Sequence, residues 1–154
     1  TRINKLKNKE FDAIVLSLAG IKMLNLISEV KAIFTTEQML PAIGQGVIAL
    51  QCKKDDKKTL DIIKKANHEE TFLCIQAERS LLEAIGGDCD TAIGGLAKIS
   101  DKKIFLKSEL FSDDGNEKFI AEYSGELKEA KEIGYKAGEE LLKRAGSNFM
   151  RKGN

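Results

Sequence analysis

The 154-residue sequence has one histidine, one proline, no tryptophan and three cysteines. One His and three scattered cysteines, Cys52, Cys74 and Cys89, lack the paired spacing of a structural zinc site. An odd number without framework spacing argues against a disulfide-stapled fold and reads as reduced thiols in a cytoplasmic protein. An excess of one charge is missing too. The 25 Lys plus Arg against 24 Asp plus Glu leave no net field to attract nucleic acid or an anionic membrane. No apolar run approaches the ~20 residues that span a bilayer. No signal-peptide pattern opens the chain, and no repeat or low-complexity stretch is evident. The remainder is globular in composition: 42% hydrophobic residues suffice for a sizeable core, and length alone suggests one domain.

Thr1 to Asn8 reads as the end of a helix, with Ile3 and Leu6 as its apolar edge. Phe11 to Leu18 is a nearly unbroken apolar run, the pattern of a central strand covered on both faces. Ala19-Gly20 then turns into a short helix, Ile21 to Leu26. Ligands of open α/β sheets bind at the carboxyl ends of strands, which singles out the turn from Ser17 to Lys22. An ordinary strand-to-helix turn has the same pattern. Gly44 and Gly46 flank Gln45 and allow close approach to its amide, either for a ligand or simply for a loop entering a strand. Val47 to Cys52 reads as a second buried strand.

Asp56 is placed to cap a helix bearing Leu60, Ile63 and Ala66. Asn67 with Glu70 resembles a capping box, leaving His68 at the surface of the next helix. Cys74, Ala77, Leu81 and Ile85 share one face of that helix, so Cys74 belongs to the core. Gly86-Gly87 stops the helix and carries Cys89 onto a loop tip, where a bound group could reach it. The alternative is a buried, inert thiol. Three strands follow: Thr91 to Ile99, Lys103 to Phe111 and Lys118 to Ser124. Asp113-Asp-Gly-Asn116 forms the hairpin between the last two. Leu127, Ala130, Ile133, Ala137 and Leu141 mark a long amphipathic helix ended by Gly146.

From Asn67 onward the pattern is therefore a compact α+β unit. The two strands before it have too few neighbours for a sheet of their own. Their partners are expected from a missing first part or from another polypeptide.

Four segments together resemble porphobilinogen deaminase, also called hydroxymethylbilane synthase, over its C-terminal half. They are Thr1-Arg-Ile with Lys5-Leu6; Phe11-Asp-Ala-Ile-Val-Leu16 with Ala19-Gly-Ile-Lys22; Leu40-Pro-Ala-Ile-Gly-Gln-Gly46; and Ala77-Glu-Arg79 with Gly86-Gly-Asp-Cys89 and Ile93-Gly94. The resemblance implies a transferase that joins porphobilinogen units head to tail, losing ammonia at each condensation. The growing chain is primed by a dipyrromethane held as a thioether, here on Cys89. A thiolate is the protein nucleophile best suited to an electrophilic methylene-pyrrole. The acetate and propionate arms call for fork-shaped cations and N–H donors. Arg2, Ser17, Gly20, Lys22 and Gln45 match cofactor-binding or cleft positions.

The family's catalytic aspartate is expected upstream of Thr1, so no catalytic residue is assigned here, and no metal. The fold implied is α/β plus α+β. Residues 1–40 would end a second periplasmic-binding-protein-like domain, and 41–66 would return to the first. Residues 67–154 would form the C-terminal domain with a three-stranded antiparallel sheet. The complete enzyme is expected to be a cytoplasmic monomer. Three residues depart from the pattern: Met23 stands for a basic residue, Asp88 for glycine and Ala92 for proline. A non-catalytic small-molecule-binding α/β module is the alternative. A thiol redox protein is disfavoured because Cys89 has no resolving cysteine nearby.

Overall fold

The structure, a computed structural model, describes residues 1–87 and 91–146. Its two compact units are Thr1–Thr35 and Thr36–Asn154. The first contains helix α1 (Arg2–Lys7), helix α2 (Leu18–Met23) and a single 3₁₀ turn, Ile27–Glu29. Helix α2 begins at Leu18, three residues earlier than the sequence pattern indicates, and buries Ile21. The expected strand before it does not form: residues 13–17 join no ladder, and Val15 is 62% exposed. The expected strand at Val47 to Cys52 is likewise irregular, with Ile48 89% exposed. A strand is stable only in a ladder, and among the described residues nothing pairs with either segment.

The second unit opens with α3 (Lys57–Lys64). Its N-cap is Asp56 as expected, accepting from the Thr59 N–H at 3.0 Å. Helix α4 (Glu69–Ile85) is capped one residue later than the sequence suggests. The ring nitrogen Nδ1 of His68 accepts from the Thr71 N–H, while Asn67 reaches Glu69 instead. Imidazole can replace an oxygen acceptor here because residue 68 has the extended backbone of a cap. Gly86, at φ 67°, ends the helix in the left-handed conformation.

Strands β1 (Ile93–Ser100), β2 (Lys103–Phe111) and β3 (Lys118–Glu126) form an antiparallel sheet in the order β1-β2-β3. In register, Ala97 lies opposite Leu106 and Leu106 opposite Tyr123. Their face packs on α4 and on helix α5 (Ala130–Ala145). Leu81, Ile85, Ile104, Leu106, Leu110 and Leu141 are wholly or almost wholly buried there. Each such side chain contributes about 1.5–3 kcal/mol of burial. The one buried hydroxyl on this face, Ser108, donates to the Ala121 carbonyl at 2.9 Å.

Candidate functional site

Within the first unit, α1 and the start of α2 enclose a cleft of about 450 Å³. That volume lies in the usual range of small-molecule sites. Arg2, Ser17 and Gly20 all line it. They meet because Arg2 opens α1, while Ser17 is the N-cap residue of α2 and Gly20 lies in its first turn. A methyl group added to Gly20 would meet no atom within 4 Å, so the wall there is open. Leu16, Ile21, Leu24 and Leu26 supply apolar surface, and Asn4 a further amide. On one side Lys7 pairs with Glu29 at 2.8 Å, which neutralises both. An apolar wall beside a guanidinium, an amide and a hydroxyl suits a flat heteroaromatic ring with carboxylate arms. Lys22 lies two residues past Gly20 on α2 and is not among the lining residues.

Gln45 belongs to the second unit, at the tip of a turn closed by its own N–H on the Ala42 carbonyl at 3.1 Å. Gly44 and Gly46 have φ of 74° and 78°, so glycine on each side of Gln45 is a backbone requirement. The amide side chain is exposed. The segment leading to it runs along the free edge of β1. Ala42 bridges Gly94, and the Gly95 N–H donates to the Pro41 carbonyl at 3.0 Å. Leu40 lies over Gly94 and Ile43 over Gly95, so that a side chain at either glycine would press on its neighbour. This covers an edge that would otherwise present unpaired amides.

The residue that sequence reasoning overlooked is Glu78. It is 4% exposed and accepts from the Gly44 N–H at 2.9 Å and the Ala97 N–H at 3.0 Å, one on each oxygen. Burial pushes its carboxyl above the usual glutamate range, and the Ala97 and Gly44 amides oppose that shift. A signal was present in the sequence: Glu78 is four residues after Cys74 and three before Leu81, on the apolar face of α4.

Cys89 and its neighbour Asp88 lie outside the described residues. The other two cysteines are free and half-buried. Cys74 packs against the core as expected. Burial, then Glu78 and Glu70, push its thiol above the usual range, which disfavours the nucleophilic thiolate. A second groove of about 410 Å³, between Thr36–Leu40 and the outer sheet face, contains none of the predicted site residues. Its Lys107 is paired with Glu122 at 3.2 Å. Among the described residues there is no cluster that could hold a metal, and no helix long and apolar enough to cross a membrane.

A family model described as the dipyromethane cofactor binding domain of porphobilinogen deaminase matches residues 1–61. A second, the C-terminal domain of porphobilinogen deaminase, matches residues 72–143. The first range contains the cleft and Gln45, and the second contains Glu78 and Cys89. Porphobilinogen deaminase of Coxiella burnetii (strain CbuG_Q212) is 38% identical over 151 residues, 98% of this chain and 49% of that protein. The chain thus spans about half the length of the curated relative it matches. With both domain models of one enzyme matched in order along it, the chain belongs to the porphobilinogen deaminase family.

Proposed function

We propose that this chain is the C-terminal half of a hydroxymethylbilane synthase, a transferase that condenses porphobilinogen into a linear tetrapyrrole with loss of ammonia. The observation that carries the reading is the cleft that gathers Arg2, Ser17 and Gly20 from two separate segments, within residues matched by the cofactor-binding model. Arg2 would grip an acetate or propionate arm through its fork of N–H donors. Ser17 and the exposed Gln45 amide would donate to further carboxylate or carbonyl oxygens, and Lys22 would add a cation at the rim. Gly20 would leave room for a ring. When bound through sulfur, the dipyrromethane supplies the pyrrole terminus on which the product grows.

In this reading residues 1–40 close the second of two periplasmic-binding-protein-like domains, and 41–66 return to the first. Residues 67–154 form the domain that holds the cysteine. The exposed apolar segments at Val15 and Ile48 support it, since they lack the neighbours that an N-terminal portion would supply. That portion would also provide the catalytic carboxylate. Beside the dipyrromethane, its ligands would be the substrate and the growing polypyrrole, with no nucleic-acid or membrane partner, and the complete enzyme would be a cytoplasmic monomer.

The test is Cys89→Ser in the complete protein, followed by intact mass and a pyrrole-reactive colour reaction. A folded variant without the pyrrolic adduct is the expected result. The raised thiol of Cys74 makes it a poor substitute nucleophile, so no adduct should migrate there. An adduct that persists in Cys89→Ser, or a wild-type protein carrying none, would favour a non-catalytic binding module.

A further inference from the structure

Strand β1 is an edge strand, and its outward amides at Gly95 and Ala97 need acceptors. The Pro41 carbonyl takes the first. The second goes to Oε1 of Glu78, whose Oε2 accepts from Gly44. One carboxylate thus stands where the next strand would be and joins three elements: α4, the β1 edge and the Gly44-Gln45-Gly46 turn. It is nearly sealed from water, where charge-assisted hydrogen bonds are strongest. A buried carboxylate is costly to maintain, and an apolar side chain would serve the core alone better. What a carboxylate adds is a directional hold on a turn whose two glycines would otherwise leave it loose.

We propose that Glu78 is a positioning residue: its carboxylate latches the Gly44–Gly46 turn to β1 and α4, and thereby fixes the direction of the Gln45 amide. Glu78 touches no ligand itself and acts through Gln45. The inference rests on the deaminase reading only for what Gln45 contacts; the latch itself does not depend on it.

Two measurements on the complete protein test it. In wild type, hydrogen exchange should show the Gly44 and Ala97 amides protected, although Gly44 lies in a turn. In Glu78→Gln, which keeps the shape but replaces one acceptor oxygen by a donor, the Gly44 amide should exchange about tenfold faster or more. Exposed Gly44 in wild type, or unchanged exchange in Glu78→Gln, overturns the latch, and the wild-type arm decides even if the variant fails to fold. The second measurement is a turnover cycle with Gln45→Ala. Glu78→Gln should reduce porphobilinogen turnover several-fold in the wild-type background and have almost no further effect when Gln45 is already Ala. Additive losses would reduce Glu78 to a structural staple. If wild type carries no pyrrolic adduct and consumes no porphobilinogen, the deaminase reading and the positioning role both fail. The exchange result still stands or falls separately.

Discussion

At Arg2 the relevant property is shape. Arg2 lines a cleft together with apolar residues, a serine and an asparagine. A lysine there would retain the charge and lose the planar pair of donors that fits a carboxylate. Arg2→Lys in the complete protein should therefore lower turnover by about tenfold, the cost of one charge-assisted hydrogen bond. The thermal midpoint should barely move, because Arg2 is exposed. Single-turnover kinetics with porphobilinogen would check it, and wild-type kinetics would remove Arg2 from the site. Two other positions show where sequence reasoning stops at this scale. The spacing puts Glu78 on the apolar face of α4, but only the approach of two backbone amides reveals what satisfies it there. The pattern puts the N-cap of α4 at Asn67 and the structure has it at His68, because the imidazole is the side chain that reaches the Thr71 amide, and composition does not encode that distance.

Among the elements, what was legible followed from local periodicity. Strand β2 has the limits that its alternation indicates, and the Ile104, Leu106 and Leu110 face is the buried one. Helix α5 ends at Gly146 as its pattern requires. The apolar runs at Phe11–Leu18 and Val47–Cys52 carry the same kind of signal, yet they form no strands, because pairing is supplied by neighbours and not by the run itself. Helix contacts were not legible either. Gly134 of α5 lies so close to α4 that a methyl group there would strike the Ala77 carbonyl. Gly134→Ala gains helix propensity, yet overpacking should make it destabilising by about 1–3 kcal/mol, measurable by urea unfolding.

The β2–β3 hairpin offers a pH test. Asp114 accepts from the Ser112 hydroxyl at 2.6 Å, from the Asn116 N–H at 3.0 Å and from the Asn116 side chain at 2.7 Å. These bonds lower its pKa from 3.8 to about 2. A lowered carboxyl binds protons more weakly when folded, so its stabilisation is complete above the unfolded value near 3.8 and is lost as pH falls through about 2. The Asn116 amide resonance should titrate with that midpoint in wild type and not in Asp114→Asn.

For the whole molecule, the distribution of exposed apolar surface is the informative feature. From α4 to α5 the apolar side chains converge on one core. Before α4, Val15, Met23, Ile33, Phe34, Ile48 and Leu50 all remain more than half exposed. Helix α3 buries none of its residues. Exposed apolar segments without a ladder open readily and associate. Limited trypsin digestion of the 154-residue chain should therefore cut first between Lys5 and Lys31 and between Lys53 and Lys65. It should leave a core near Asn67–Gly146, in which Lys98 and Lys107 are held in paired strands. Adding the N-terminal half of the complete protein should protect the early sites, since it would supply neighbours for Phe11–Leu18 and Val47–Cys52. The isolated chain should consume no porphobilinogen, because in the proposed reading the catalytic carboxylate comes from the N-terminal half and its cleft alone holds only part of the reacting geometry. Mass spectrometry of the fragments and a porphobilinogen-consumption assay check both expectations. Even resistance from Thr1 onward, or turnover by the 154 residues alone, would show that these segments need no partner and that the site is complete within the chain.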